Sequence, residues 1–112
     1  MLPKQRRLSK ELVKMVIKQG KSVYNHNLFL KYLIRPQQTS AFSFVVPAKI
    51  QKSAVQRNKL KRMARASVLK ILPRLKENRL AVIFFKEKNQ RAKFSEIEAA
   101  IRELFQKAGL LN

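Results

Sequence analysis

Five polar residues between positions 57 and 65 have the types and the spacing needed to bind nucleic-acid phosphates together. They are Arg57, Asn58, Lys61, Arg62 and Arg65. At 100° per residue they fall on one arc of a helix, away from the apolar arc that contains Leu60 and Ala64. Arginine can donate two parallel hydrogen bonds to a phosphate, lysine acts as a point charge, and asparagine offers both a donor and an acceptor. The alternative for Asn58 is to cap the helix or to fix the loop that enters it. This arc therefore predicts a surface that binds a folded, phosphate-bearing partner.

Residues that could perform catalysis are scarce in this chain. A metal or acid–base site needs clustered carboxylates, histidines or cysteines, and the chain has six glutamates, one histidine and no cysteine. The histidine, His26, lies in a polar segment and is expected to be solvated, and two glycines cannot build a phosphate-binding loop. We therefore predict no catalytic residue and no metal site in the protein itself. The glutamates predicted to be structural or solvated are Glu77, Glu87, Glu96, Glu98 and Glu103.

The charge of the chain is strongly positive and unevenly distributed. The 112 residues include 26 Lys and Arg against 6 Glu, a formal net charge of +20, and residues 12–76 contain no acidic residue. Such an excess of positive charge destabilises the folded state by self-repulsion unless a polyanion neutralises it, so nucleic acid is the expected partner. A membrane partner is disfavoured because the chain has no Trp and no apolar run near the roughly 20 residues that span a bilayer. Without a signal-peptide pattern, a soluble intracellular protein is expected.

The spacing of apolar residues predicts six elements in the order αββαβα. Ser9 is expected to cap the first helix, Pro73 to end the long helix, and a capping box at Ser95 to begin the last helix. The predicted elements are a helix at 9–19, strands at 28–34 and 41–46, a helix at 53–72, a strand at 80–85 and a helix from 95 to 108.

The pattern of these elements favours an α+β sandwich in which helices pack on one sheet. Strands 28–34 and 41–46 are separated by a short polar turn, so they are predicted to pair as a hairpin. Strand 80–85 is continuously apolar, which is typical of a central strand covered on both faces. The chain has no repeat and no linker, so residues 1–112 are predicted to form a single domain.

The basic helix and its surroundings resemble the bacterial ribonuclease P protein component. In that family Arg-Asn is followed by Lys-Arg and a further Arg at the spacing seen from Arg57 to Arg65. Arg-Leu at 7–8 and Gly-Lys-Ser-Val at 20–23 also match, and the elements come in the family's order. The resemblance implies the fold of the second domain of a small-subunit ribosomal protein, with an unusual left-handed β-α-β crossover at the basic helix.

The resemblance also implies a function. Family members are the small protein subunit of an RNA-based enzyme in the bacterial cytoplasm that removes the 5′ leader from precursor tRNA. The RNA subunit and its bound Mg²⁺ carry out the cleavage. The protein is monomeric within the ribonucleoprotein, holds the RNA subunit through the basic helix, binds the leader in a cleft over the sheet, and improves Mg²⁺ binding by the complex.

The positions that the resemblance assigns to the leader cleft depart from the family pattern. The family's first helix usually presents aromatic residues, and the matching residues here are Val13 and Ile17, which cannot stack on a base as a ring does. Phe29 or Tyr32 could supply a ring, and because they point to opposite sides of the sheet only one of them can line the cleft. Phe29, which shares its side with Lys31, is the predicted one, and Lys31 and Lys49 are predicted to neutralise leader phosphates. The alternative for Val13 and Ile17 is an ordinary role in the core.

Three other hypotheses about the function are compatible with the sequence. A ribosomal or other structural RNA-binding protein would have the same composition, and only the motif spacing argues against it. A DNA-binding module is disfavoured because strands, rather than a tight helix-turn-helix, flank the basic helix. A protein-only nuclease is disfavoured because the carboxylates that hold its metal ions are missing.

Overall fold

The computed structural model of the chain describes residues 6–25, 28–86 and 93–111, and within them the elements follow the order αβββαβα. A single 3₁₀ turn, Leu72–Arg74, continues directly from α2. His26 and Glu87 lie outside the described residues, so the expectations for these two side chains stay predictions. The elements are α1 (Lys10–Gln19), β1 (Lys21–Tyr24), β2 (Leu28–Ile34), β3 (Ala41–Val45), α2 (Ala54–Ile71), β4 (Arg79–Phe85) and α3 (Phe94–Lys107).

The four strands form one sheet in the order β1-β2-β4-β3. Strand β4 pairs antiparallel with β2 and parallel with β3, so β3, α2 and β4 form a β-α-β crossover. The central position predicted for residues 80–85 is confirmed. The hairpin predicted between residues 28–34 and 41–46 is wrong, because β4 lies between these two strands and covers the edges that they would share.

The hairpin partner of β2 is β1, an element that the predicted order αββαβα lacks. Lys21 pairs with Tyr32 and Tyr24 with Phe29 in an antiparallel register. Three of the four β1 side chains are exposed, and only Val23 is half-buried. A four-residue edge strand of this kind has almost no hydrophobic pattern, which explains why the sequence did not reveal it.

The two faces of the sheet are covered by different helices. On one face α2 and α3 enclose the larger core, which includes Leu30, Phe42, Ile83 and Phe105. On the other face α1 packs against β2 and β4 through a smaller cluster that includes the fully buried Val16. The three layers confirm the α+β sandwich, and they leave α1 as the sole helix on its face within the described residues.

The helix ends agree with the cap predicted at Ser9, show a further cap at Ser53 that the sequence analysis did not assign, and contradict the capping box predicted at Ser95. The Ser9 hydroxyl accepts from the Leu12 amide at 3.3 Å, and the Ser53 hydroxyl accepts from the Gln56 amide at 3.2 Å. The capping box predicted at Ser95 is wrong, because α3 begins one residue earlier and its cap is Lys93 with no side-chain hydrogen bond. Glu98, the expected partner in that box, is drawn instead to Lys70, 2.8 Å away.

A search of the described helices for a membrane-spanning segment finds none that is long and apolar enough.

Candidate nucleic-acid interface

Helix α2 places the predicted phosphate-binding residues on its outer side. Its buried stripe, formed by Leu60, Ala64, Val68 and Ile71, faces the core shared with α3 and β3. Because the basic residues lie off this stripe, they are available to a partner without disturbing the core. Asn58 and Arg62 are exposed, and Arg57, Lys61 and Arg65 are half-buried at the flank of the helix.

Arg57 differs from the other members of this set because it also has a structural role. Its guanidinium donates to the carbonyl oxygens of Gln51 and Lys52, at 2.9 Å in both cases. These bonds hold the loop that leads into α2. Asn58, for which loop fixation was the alternative to binding RNA, has no recorded hydrogen bond among the described residues and points into solvent.

A cavity of about 260 Å³ lies between α2, the outer edge of β3 and the segment that precedes α1. Lys61 and Arg65 line it on one side and Arg7 on the other. The N-terminal segment is held there because the Leu8 amide donates to the Phe42 carbonyl at 3.1 Å. Arg7 thus extends the basic surface of α2. No periodicity connects residues so far apart in the chain, so sequence analysis did not place Arg7 beside the motif.

On the α1 face, one row of side chains crosses all four strands. The pairing register aligns Tyr24 of β1, Phe29 of β2, Phe84 of β4 and Val45 of β3. The ring centroids of Tyr24 and Phe29 are 6.3 Å apart, and those of Phe29 and Phe84 are 5.4 Å apart. Tyr24 is 60% exposed, and the other three are half-buried. The sheet therefore presents a partly open aromatic platform at this end.

Positive charge borders the aromatic row. The Lys86 ammonium lies 5.2 Å from the centroid of the Tyr24 ring and donates to the Asn25 carbonyl at 3.2 Å. Lys49, in the exposed turn at 48–50, follows four residues after Val45 at the end of β3. A cation beside a π-face and a second one near the end of the row suit a strand with unpaired bases and backbone phosphates.

Helix α1 lies beside this row, and the two predicted cleft residues that it carries differ in their burial. Val13 is half-buried and packs against the cluster around Val16, whereas Ile17 is 39% exposed. Lys31 lies under the end of the helix, and its ammonium donates to the Ile17 carbonyl at 2.7 Å. This hydrogen bond satisfies a carbonyl oxygen in the last turn of α1, where the helix dipole also favours a positive charge.

The structure brings Ile17, Phe29 and Lys31 to one face, as the sequence predicts, and places Tyr32 on the opposite face against the larger core. Sequence analysis missed Tyr24 and Phe84 as candidates. Phe84 belongs to a continuous apolar run, in which periodicity cannot separate the two faces, and Tyr24 lies in the strand that was not foreseen.

Acidic residues do not gather near these surfaces. Glu98 pairs with Lys70 and Arg102, at 2.8 Å and 3.6 Å, while Glu77, Glu96 and Glu103 are exposed. Within the described ranges, no three side chains among His, Cys, Asp and Glu come close enough to hold a metal ion. The surfaces around α2 and the aromatic row are thus chemically suited to bind polyanions.

Comparisons with known proteins agree with this architecture. Residues 2–109 match the model of the family described as Ribonuclease P. The fold is similar to that of the Staphylococcus aureus RNase P protein, with 17% identity, a TM-score of 0.85, and coverage of 96% of this chain and 98% of that one. It is also similar to the Thermotoga maritima RNase P protein in complex with 1-(4-fluorophenyl)-2-thiourea, with 22% identity, a TM-score of 0.80, and coverage of 90% and 98%. No curated protein sequence matches the chain significantly. Since the family match spans nearly all 112 residues, this chain belongs to the ribonuclease P protein family.

Proposed function

We propose that this chain is the protein subunit of ribonuclease P and assists the removal of the 5′ leader from precursor tRNA. It binds the RNA subunit through the outer side of α2 and the leader through the α1 face of the sheet. The RNA subunit, with Mg²⁺ bound in the complex, performs the cleavage. The protein acts as a monomer within a bacterial cytoplasmic ribonucleoprotein.

The observation that carries this proposal is the basic surface built by α2 and the N-terminal segment. Lys61 and Arg65 flank the cavity at the edge of β3 on one side, and Arg7 flanks it on the other. Together with Asn58 and Arg62 they form a contiguous set of phosphate-binding groups, all of which except Arg7 lie on the rigid helix α2. Forked arginine donors on such a helix fit a folded RNA, whose phosphates have fixed positions.

The row of Tyr24, Phe29, Phe84 and Val45 supports the assignment of the leader to the sheet face. Unpaired bases stack on aromatic side chains irrespective of sequence, which suits a leader that varies between precursor tRNAs. The rings missing at Val13 and Ile17 of α1 are thus replaced by rings on the sheet. Ile17 and Lys31 lie beside this platform, and Lys49 follows the strand that ends it.

The donor chemistry of the described residues supports placing Mg²⁺ on the RNA. Mg²⁺ in proteins is held by carboxylates, and Glu98, the one described glutamate in ion pairs, is already neutralised by Lys70 and Arg102. The surfaces proposed to meet RNA are lined by cations, which repel a metal ion. The cations on these surfaces reduce the repulsion between RNA phosphates, so that the RNA reaches its active fold at a lower Mg²⁺ concentration.

Reconstitution tests the proposal. The protein is combined with a cognate ribonuclease P RNA and precursor tRNA at a Mg²⁺ concentration too low for the RNA alone. We expect stimulated cleavage at the mature 5′ end, and none from the protein without RNA. Binding of the RNA without stimulation would instead indicate a structural RNA-binding protein, and cleavage by the protein alone would indicate a protein nuclease.

A further inference from the structure

A cavity of about 420 Å³ lies away from both surfaces proposed above. It opens at the end of the sheet where β2 ends at Ile34 and β4 begins at Arg79, whereas the aromatic row lies at the other end. Ile34 follows Phe29 by five positions in β2, or roughly 16 Å along the strand. The end of α1, the start of β1, the end of β2, the entrance to β4 and the end of α3 line the cavity.

Three basic side chains line this cavity. Lys21, Lys76 and Arg79 are the charged residues of its lining, and no carboxylate is among them. Arg79 donates to the backbone carbonyl of Glu77, and the exposed Glu77 carboxylate is recorded in no ion pair within the described part of the chain. The cavity is therefore a concentrated positive site, and no carboxylate among residues 6–25, 28–86 and 93–111 forms an ion pair with its cations.

A buried serine fixes the two basic residues at the entrance to β4. The fully buried Ser40 hydroxyl donates to the Lys76 carbonyl at 2.8 Å and accepts from the Arg79 amide at 3.0 Å. The Lys76 amide in turn donates to the Leu110 carbonyl at 2.8 Å. These hydrogen bonds fix the main chain at Lys76 and at Arg79. The two side chains therefore extend from fixed Cα positions, which lowers the entropic cost of binding a ligand.

Two glycines allow the helix ends to form the remaining walls. A Cβ on Gly20 would lie 2.4 Å from the Val16 oxygen and 2.8 Å from the Tyr32 oxygen, so only glycine lets α1 end this close to β2. Gly109 ends α3 with a φ of 71°, a value that favours glycine. This arrangement places Lys21 beside Tyr32, opposite the turn at the end of α3.

The remaining lining is apolar and aromatic. Tyr32, Leu33 and Ile34 contribute from β2, and Ile34 is 53% exposed although it is a large aliphatic residue. A cavity lined by both cations and ring and aliphatic surface matches a ligand that combines an anionic group with a flat, weakly polar one. A 5′-phosphorylated nucleotide has this composition, and the cavity volume is in the range of small-ligand sites.

We infer that this cavity is a second nucleotide site, in which Lys21, Lys76 and Arg79 bind the phosphate of one nucleotide of an RNA strand while Tyr32 and Ile34 contact its sugar or base. The assignment to an RNA strand rests on the proposed function, because RNA is the polyanion that a ribonuclease P protein meets. The site gives the protein an RNA contact at the end of the sheet remote from the aromatic row.

Charge-matched variants test the inference in the reconstituted complex. The triple variant K21Q/K76Q/R79Q is compared with K10Q/K14Q/K93Q, which removes the same charge from exposed positions outside the cavities. We expect the first to weaken RNA binding more than the second and, because one phosphate contact is lost, to flatten the plot of log K against log salt by about 1 unit. The double variant K21Q/K76Q, which retains Arg79 and its hydrogen bond, is expected to show about half of the change in slope.

Titration of the ¹⁵N-labelled protein with 5′-AMP, adenosine and inorganic phosphate identifies the occupant directly. We expect 5′-AMP to shift the Lys76, Ala108 and Gly109 amides in the wild type and not in K21Q/K76Q, with adenosine inactive. If 5′-AMP shifts these amides while the salt slopes of the two triple variants agree, the cavity binds a free nucleotide and its assignment to an RNA strand is wrong. No shift together with equal slopes overturns the inference, whereas the proposed function fails only if variants on α2 also bind RNA normally.

Discussion

Phe84 of β4 lies opposite Phe29 of β2, and their ring centroids are 5.4 Å apart on the sheet face that α1 packs against. Both rings are only half-buried, so they do not contribute the stability that full burial in the core would. With Tyr24 they form a chain of three rings that continues to the edge strand β1. A sheet that keeps three aromatic rings partly open to solvent is well suited to stack unpaired bases.

Removing rings from this row should weaken binding of precursor tRNA and leave binding of mature tRNA nearly unchanged. Tyr24→Ala and Phe84→Ala are each expected to weaken the binding free energy of precursor tRNA by about 1 to 3 kcal/mol, because each removes a ring that stacks on a base. Tyr24→Phe is the matched control, because it keeps the ring and should bind as the wild type does. Equilibrium titrations of both tRNAs with the reconstituted enzyme measure the difference. Equal losses for both tRNAs would contradict a leader site on this face.

Replacing Lys61, Arg62 and Arg65 of α2 by Ala should weaken binding of the RNA subunit without unfolding the protein. These side chains lie off the buried stripe of the helix, so the core should not change. If three phosphate contacts are lost, the slope of log K against log salt should flatten by about 2 to 3 units. The variant K10Q/K14Q/K93Q serves as the control for a general loss of charge. An unchanged slope would remove α2 from the interface.

Arg57 should behave differently from its neighbours on α2. Its guanidinium holds the Gln51 and Lys52 carbonyls, so Arg57→Ala should lower both RNA affinity and the melting temperature. Two hydrogen bonds to a charged donor are worth about 1.5 to 3 kcal/mol each before solvent exposure reduces them. Arg62→Ala, at an exposed position with no recorded contact, should lower RNA affinity alone. Thermal unfolding of the two variants, measured without RNA, separates the roles.

The parts of the fold that depend on one continuous segment were predictable from the sequence. The period of α2 placed its apolar and basic arcs correctly, and the apolar run of β4 identified a central strand. Pairing between strands depends instead on residues distant in sequence. β1 is too short and too exposed to have a recognisable hydrophobic pattern. Without β1, the sequence wrongly predicts that β2 and β3 pair with each other.

The same distinction applies to the candidate site. All the residues of the α2 surface come from nine consecutive positions of one helix, so periodicity alone could group them. The aromatic row takes one residue from each of four strands, and only the strand order β1-β2-β4-β3 brings Tyr24, Phe29 and Phe84 together. Arg7 likewise reaches α2 through a pairing with Phe42 that local sequence does not encode.

The glutamates should be dispensable for cleavage. Glu98→Gln removes the ion pairs with Lys70 and Arg102, which at this exposure should cost no more than about 1 kcal/mol of stability. Glu77→Gln, Glu96→Gln and Glu103→Gln, at exposed positions, should have smaller effects still. Single-turnover cleavage by the reconstituted enzyme is the measurement. A loss of about 100-fold or more in any variant that binds RNA normally would indicate a catalytic role for the protein.

Val13 and Ile17 should separate into a core residue and a leader-binding residue, although they lie one turn apart on α1. Val13 packs against the cluster around Val16, so Val13→Ser should destabilise the fold by about 1 to 2 kcal/mol. Ile17 is 39% exposed, so Ile17→Ser should leave the melting temperature nearly unchanged and weaken precursor tRNA selectively. Thermal unfolding and the two-tRNA titration, applied to both variants, test this separation. If Ile17→Ser destabilises the protein as much as Val13→Ser does, both residues belong to the core, and the rings of the sheet bind the leader without help from α1.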